Sequence, residues 1–170
     1  MTALPPVALL GIDLGERRIG VALAESPDVP ARPLVTLPRR ARSSADASAL
    51  ADLIARHGAG ELIVGLPLEA SGVQGNQAAL TLAWVAGIRA ALGVRISLRD
   101  ERLSSHVAEQ RLGSMPRGRS GGPPTRAQRE AYRSRVDREA AAIILQDELD
   151  ARSAVQGVVR PPPTTLETNR

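Results

Sequence analysis

The sequence has no cysteine, no lysine and no phenylalanine, and each absence removes a class of function. Without cysteine there is no disulfide framework, no thiolate metal site and no cysteine nucleophile. Without lysine there is neither a P-loop lysine nor Schiff-base chemistry. The two aromatic residues, Trp84 and Tyr132, are too few for a platform on which single-stranded bases stack. The core must therefore be built from Leu, Ile, Val and Ala.

Long hydrophobic runs are also missing. The opening stretch, MTALPPVALLG, has no basic segment and only a short apolar run, so it does not read as a signal peptide. No stretch is long enough to span a bilayer. A chain of 170 residues is long enough to bury one sizeable core. We therefore expect a single-domain cytoplasmic protein with no membrane partner.

Positive charge is carried by arginine alone, in 22 residues, and the net charge is +4. Each guanidinium is a planar fork suited to bidentate phosphate contact, although a genome-wide codon bias would give the same composition. Between residues 111 and 138 there are eight arginines and only two acidic residues. Such a basic stretch on a near-neutral body indicates a nucleic-acid partner, and a solvated flexible loop is the alternative.

The chain is organised around the stretch from Val7 to Ala24, VALLGIDLGERRIGVALA. Two apolar runs flank a polar turn that contains Gly15, a pattern that predicts a β-hairpin. The first run ends on Asp13. Burying a carboxylate at the end of a core strand is costly unless other interactions compensate for the lost hydration. Hydrogen bonds from the backbone of the turn would supply this compensation, and so would a metal or phosphate site. The stretch alone leaves both readings open.

The remaining pattern predicts an α/β fold. Further elements are expected as strands at 33–37, 61–66 and 94–98, and as helices from Ser44 or Asp46 to His57, at 76–92, at 104–112, and from Thr125 or Arg133 to Arg152. An antiparallel hairpin followed by parallel βαβ units gives a mixed sheet with helices on both faces. We expect one domain over residues 1–152 and a disordered, proline-containing tail over 153–170.

Three acidic residues are predicted to meet at one edge of this sheet. Asp13 ends the first strand, Asp100 and Glu101 follow the last strand, and Asp137 borders the buried face of the final helix. Neighbouring carboxylates raise each other's pKa values, and a divalent cation removes the repulsion. Carboxylate and water oxygens suit Mg²⁺ or Mn²⁺, and a pair of such ions can promote phosphodiester cleavage.

Each of these acids also has a plainer interpretation. Glu101 lies between Arg99 and Arg102 in sequence and could form a surface ion pair. Asp137 could be a first-turn acid that the helix dipole favours. Ser104 and Ser105 could cap the helix that follows Glu101. We expect this capping role rather than contact with an anion.

At these residues the chain resembles the YqgF/RuvX family, whose members are described as pre-16S rRNA nucleases and as Holliday-junction-resolvase-like proteins. The matching pieces, in order, are GIDLGERRIGVA (11–22), VGLP with a glycine-bearing loop (64–75), DERLSS (100–105) and VDREAAAIILQDEL (136–149). The similarity extends from about Leu9 to Asp150. One departure is the loop at 68–72, LEASG, which lacks the Asn and Asp common in this family.

The resemblance implies an RNase H-like fold and a metal-dependent nuclease that processes the 5′ end of precursor 16S rRNA, with precursors of the ribosomal subunit as partners. It places Asp13, Glu101 and Asp137 on the family's acidic triad, with Mg²⁺ or Mn²⁺ as cofactor. We expect arginines of the hairpin turn and of the basic stretch to hold phosphates. These are Arg17, Arg18, Arg117, Arg119, Arg126, Arg129, Arg133 and Arg135.

Two other functions stay open from the sequence. The same chemistry on four-way DNA junctions would make the protein a resolvase-type endonuclease, which a dimer with two active sites would favour. A non-catalytic RNA-binding assembly factor would use the acids structurally. The protein could act as a monomer or a homodimer. An actin-like or sugar-kinase-type ATPase shares the GIDLG hairpin, but the chain is too short for a two-domain cleft.

Overall fold

A five-stranded sheet and four helices form the structure, a computed structural model that describes residues 7–68, 75–101, 104–118 and 120–159. The strands are β1 (Ala8–Leu14), β2 (Arg18–Ala24), β3 (Arg32–Pro38), β4 (Ala59–Pro67) and β5 (Arg95–Glu101). The helices are α1 (Ser43–His57), α2 (Asn76–Arg89), α3 (Ser104–Leu112) and α4 (Arg126–Val159).

The strand order in the sheet is β3-β2-β1-β4-β5, which places β1 at the centre. The first three strands form an antiparallel meander, whereas β1, β4 and β5 run parallel to one another. The predicted mixed sheet with an antiparallel start is therefore confirmed. In this register Asp13 lies opposite Gly20 on one side, and Ile12 lies opposite Val64 on the other.

One face of the sheet is covered by α1 and α2 and has an aliphatic core. Alternate strand residues such as Ile12, Val21 and Val64 are fully buried there, together with Leu50 of α1 and Ile88 of α2. Because side chains in a strand alternate between faces, the residues between them belong to the other layer.

The opposite face is covered by α4, and several of its residues are very small, although Leu9 and Ile63 also belong to this layer. A Cβ atom at Gly11 would lie 2.5 Å from the carbonyl oxygen of Ala141 and 2.7 Å from Cβ of Leu145. Ala22 of β2 and Ala141 of α4 are fully buried in this layer. The long helix therefore packs almost directly on the backbone of β1 and β2.

The beginning of α1 differs from the prediction that Ser44 or Asp46 caps it. The residue that precedes the helix is Arg42, and no side chain caps the helix. Asp46 is instead buried, where it accepts hydrogen bonds from the backbone N–H of Arg40 at 2.8 Å and from Nε1 of Trp84 at 2.9 Å. Its carboxylate ties α1 to α2 rather than closing the helix end.

Three other boundaries differ from the prediction by three residues or more. Helix α2 ends at Arg89, before the predicted end at residue 92. Strand β5 extends to Glu101, so that the acids at 100–101 are its last residues. Helix α4 continues to Val159, so the boundary predicted at Ser153 falls inside a helix. Residues 160–170 lie outside the described part, and the division into a domain and a disordered tail stays a prediction.

Across the described ranges, no helix combines the length and the apolar character that a membrane crossing requires.

Candidate active site

Asp13 lies near the carboxyl end of the central strand, on the sheet face that α4 covers. Its cross-strand neighbour on β2 is Gly20. On the other side, the parallel register that pairs Ile12 with Val64 puts Gly65 of β4 beside it. Asp13 therefore has a glycine on each side, and the missing side chains leave room for groups from other elements.

The space over Gly20 is taken by the backbone of α4 at Asp137. A Cβ atom at Gly20 would overlap the carbonyl group of Asp137 and lie 2.9 Å from the backbone nitrogen of Arg138. This close approach brings Asp137 next to Asp13.

The space over Gly65 is taken by the side chain of Glu101. A Cβ atom there would overlap Oε2 of Glu101 and would lie 2.6 Å from Cδ1 of Ile144. Glu101 is the last residue of β5, and its carboxylate accepts a hydrogen bond from the buried hydroxyl of Ser104, at the start of α3. The Glu101 side chain thus turns back over β4 towards Asp13.

The electrostatics of the three acids reflect this proximity. Burial, together with the negative charges of Glu101 and Asp137, raises the pKa of the Asp13 carboxyl well above its ordinary value. Burial also raises the pKa of Glu101 to about 7. Carboxyl groups with such raised pKa values mark a place where negative charge is concentrated and poorly solvated.

The structure also tests the simpler roles considered for Asp13 and Glu101, which were hydrogen bonding to the turn and a surface ion pair. The N–H of Gly15 bonds to the carbonyl of Arg18 at 2.9 Å, so this turn amide does not serve Asp13. Arg99 pairs with Glu148 at 3.3 Å rather than with Glu101. Arg102, the other partner considered for Glu101, lies outside the described residues.

Asp137 is not a first-turn acid. Helix α4 begins at Arg126, eleven residues before Asp137, so Asp137 lies about three turns into the helix. The helix dipole acts within the first turn and does not account for an acid at this depth.

Asp137 does have a cationic partner within the fold. Nε of Arg18, the first residue of β2, donates to Oδ2 of Asp137. The ion pair is largely sheltered, with 27% of the Arg18 side chain and 19% of the Asp137 side chain exposed. The structure thus places Arg18, predicted as a phosphate-binding residue, against one member of the acidic triad.

A polar groove opens beside this ion pair. Its volume is about 510 Å³, and it lies between the hairpin turn and α4. The groove is lined by Gly15, Glu16, Arg17, Arg18, Glu130, Arg133 and Asp137. Two further predicted arginines, Arg17 and Arg133, therefore lie together at the edge of the acidic site.

Arg126, Arg129 and Arg133 precede Asp137 at spacings of three and four residues, which places all four on one side of α4. Arg126 and Arg129 are exposed near the start of the helix. They form a basic row that leads along α4 to the groove.

The other predicted arginines are placed differently. Arg135 is two residues from Arg133 and projects from the opposite side of α4. Arg117 is exposed in the segment between α3 and α4. Arg119 lies outside the described residues.

The donor set of the three acids fits a hard divalent cation. It consists of carboxylate oxygens, the ligands that Mg²⁺ and Mn²⁺ prefer. Within the described ranges, however, no three His, Asp or Glu side chains approach closely enough to enclose an ion. Two of the carboxylates have other partners, since Asp137 pairs with Arg18 and Glu101 accepts from Ser104.

Sequence analysis did not predict three features of the site, the first being the ion pair between Arg18 and Asp137. It considered Ser104 as a helix cap and did not predict its hydrogen bond to Glu101. It also did not use the glycines at 11, 20 and 65. The available signal was a glycine within the apolar stretch of each of β1, β2 and β4, because a glycine inside a strand marks the close approach of another group.

The mixed five-stranded sheet and the acids at its carboxyl edge define the class of the protein: it has an RNase H-like fold. The solved structure entitled "T. thermophilus RuvC in complex with Holliday junction substrate" superposes with a TM-score of 0.50 at 15% sequence identity. The match covers 86% of this chain and 96% of that chain, and it supports the fold alone.

Comparison of sequences identifies the family. The model of the RuvX family, described as Holliday junction resolvase, matches residues 7–151. A protein of Chloroflexus aggregans named "Putative pre-16S rRNA nuclease" is 40% identical over 144 residues, covering 85% of this chain and 94% of that protein. A protein of Anaeromyxobacter sp. (strain K) with the same name is 42% identical over 144 residues, covering 85% and 97%. The chain belongs to the RuvX family, as its four motifs predict.

Proposed function

We propose that this protein is a divalent-metal-dependent nuclease that cleaves phosphodiester bonds in precursor 16S rRNA, in the cytoplasm. The observation that carries the proposal is the convergence of Asp13, Glu101 and Asp137 at the carboxyl edge of the sheet, with the pKa of Asp13 raised by burial and by the other two acids. Membership of the RuvX family and the names of its relatives support the choice of substrate.

In this proposal Asp13, Glu101 and Asp137 hold Mg²⁺ or Mn²⁺. The cation, when bound, supplies neutralisation of phosphate charge and activation of the attacking water. Asp13 lies between the other two acids and fixes the centre of the site on the central strand of the sheet. The hydroxyl of Ser104 orients the carboxylate of Glu101 through its hydrogen bond.

The arginines around the groove hold the substrate backbone. Arg17 and Arg133 line the groove beside Asp137, and Arg126 and Arg129 extend the basic row along α4. Guanidinium groups bind phosphates in bidentate fashion without reading sequence, so they position the strand rather than select it. A phosphate chain that follows this row would reach the acidic site at Asp137. Arg117, Arg119 and Arg135 are further candidates for contact with structured RNA.

The experiment is cleavage of an end-labelled precursor 16S rRNA fragment and of a DNA four-way junction. Each substrate is incubated with Mn²⁺, Mg²⁺ or EDTA, using wild type, Asp13→Asn and Asp52→Asn. Asp52 is an exposed acid of α1, on the far side of the sheet, so it controls for loss of one carboxylate. We expect metal-dependent cleavage of the RNA that is lost in Asp13→Asn and retained in Asp52→Asn.

The other outcomes decide between alternatives. Preferential cleavage of the junction would replace the RNA substrate with a resolvase-type function. Metal-independent RNA binding with no cleavage by any of the three proteins would contradict the nuclease and favour an assembly factor. Equal cleavage by Asp13→Asn and wild type would show that the acids do not form the active site.

A further inference from the structure

The fold holds the backbones of Arg18 and Asp137 in place, so their side chains meet as a defined ion pair. The backbone of Arg18 is held on both sides, because its carbonyl accepts from Gly15 N–H and the residue pairs with Pro38 of β3. Asp137 is held by the close packing of α4 on Gly20. Two well-anchored residues thus meet with their charged groups partly sheltered from solvent.

This ion pair lies between the acidic cluster and the arginine-lined groove. Asp137 belongs to the acidic cluster with Asp13, whereas Arg18 also lines the groove that contains Arg17 and Arg133. A guanidinium that leaves Asp137 therefore has a polar space of about 510 Å³ beside it, lined by two other arginines, Arg17 and Arg133, and by two acids, Glu16 and Glu130. The formal charges of these four side chains cancel, so an entering guanidinium would leave an excess positive charge that an anion such as a backbone phosphate neutralises.

We propose that Arg18 exchanges partners during the reaction cycle. It neutralises Asp137 while the acids hold no metal, and it turns into the groove to bind a backbone phosphate once a divalent cation has taken its place. The inference rests on the proposed function, and it assigns Arg18 the role of linking metal binding to substrate binding. The cation and the guanidinium compete for the carboxylate of Asp137. Binding of the cation therefore increases the affinity for the phosphate, and binding of the phosphate increases the affinity for the cation.

The first test is isothermal titration of Mn²⁺ into wild type, Arg18→Gln and Arg17→Gln without nucleic acid. Removal of the competing guanidinium should tighten Mn²⁺ binding by about fivefold, the effect expected of one partly sheltered ion pair. Arg17 is exposed on the same turn and provides the matched control, for which the Mn²⁺ affinity should match that of wild type.

The second test follows the guanidinium in the native protein. In protein labelled with ¹⁵N-arginine, the Nε–H signal of Arg18 should be protected without metal and should move towards solvent-exposed values on addition of diamagnetic Mg²⁺. The signal is assigned by its loss in Arg18→Lys. This measurement does not depend on the folding of Arg18→Gln.

The third test measures RNA affinity with and without Ca²⁺, with the RNA checked for integrity afterwards. The metal should increase RNA affinity several-fold in wild type and by less in Arg18→Gln, because only wild type gains a released guanidinium. Arg17→Gln should show reduced RNA affinity in both conditions and the same gain on addition of metal as wild type.

The outcomes separate this inference from the proposed function. Mn²⁺ binding by wild type that is unchanged or weakened in Arg18→Gln overturns the exchange and leaves the nuclease proposal intact. An Arg18 signal that does not respond to Mg²⁺ overturns it as well. Absence of Mn²⁺ binding in both wild type and Arg18→Gln contradicts the metal site itself, and both proposals then fail together.

Discussion

Replacing Gly11 by alanine should push helix α4 slightly away from the sheet. A Cβ atom at this position would lie 2.7 Å from Cβ of Leu145 and 2.5 Å from the carbonyl oxygen of Ala141. Carbon atoms in contact prefer about 3.5 Å or more, so α4 must move outwards by roughly 0.8 Å. Neither obstacle is the end of a flexible side chain, and the displacement must be taken up by the helix as a whole. Overpacking of this kind costs about 1–3 kcal/mol of unfolding free energy.

The same displacement should reduce activity. Asp137 is one helical turn before Ala141, so it moves with the part of α4 that the new methyl group displaces. A catalytic group misplaced by about 1 Å can cost on the order of 10²-fold in rate. We expect Gly11→Ala to remain folded and to cleave RNA about 10- to 100-fold more slowly than wild type.

Urea denaturation, followed by the fluorescence of Trp84, measures the stability, and the RNA cleavage assay measures the activity. Gly93→Ala is the matched control, because apart from Gly93 and its two chain neighbours no heavy atom lies within 4 Å of a Cβ atom placed there. That variant should match wild type in both assays. If Gly11→Ala also retained wild-type stability and activity, the close packing of α4 on β1 would not hold Asp137 in place.

Three further predictions follow from the site and its support. Since burial raises the pKa of Glu101 from 4.5 to about 7, the folded state retains a proton that the unfolded state releases. The unfolding free energy of the metal-free protein should therefore fall as pH rises from about 4.5 to about 7, as thermal denaturation in EDTA would show. Ser104→Ala removes a donor to the charged form of Glu101 and should shift the pH midpoint of cleavage upwards, whereas exposed Ser105→Ala should leave it unchanged. Trp84→Phe leaves buried Asp46 with one donor fewer and should cost about 1–3 kcal/mol in urea denaturation followed by circular dichroism, with no change in cleavage per folded molecule.

Each of these has a clear contrary result. A pH dependence of stability that persists in Glu101→Gln would assign it to other groups. Equal pH profiles for the two serine variants would remove the positioning role of Ser104. Full stability of Trp84→Phe would show that the bond to Asp46 contributes little.

The fold could be predicted from the sequence because its strongest signals are local. The apolar runs around Gly15 predicted the β1–β2 hairpin. Helix α1 ends at His57, just before Gly58, whose φ of 64° is the left-handed conformation that glycine favours. Asp13 and Glu101 were predicted at one edge because parallel strands end together, which is a property of topology rather than of side-chain detail.

What could not be predicted depends on contacts between residues distant in sequence. Arg18 and Asp137 are 119 positions apart, and no local pattern reports that they pair. Asp46 has the chemistry of a helix cap, yet it lies within the first turn of α1, where it is buried and bonded to Trp84, 38 positions away. The end of α4 differs for another reason: the proline-containing tail indicated disorder from Ser153 onwards, but the structure continues the helix to Val159.

The contrast between the two faces of the sheet has a consequence for how this sequence can change over time. The face towards α1 and α2 is built from Leu, Ile and Val, which can exchange for one another with compensating shifts in neighbours. The face towards α4 offers no such freedom at Gly11, Gly20 and Gly65, because the smallest side chain already meets another group. Variants of this protein can therefore repack the side towards α1 and α2, whereas these glycine positions on the other side admit little change, and the acids lie on that other side.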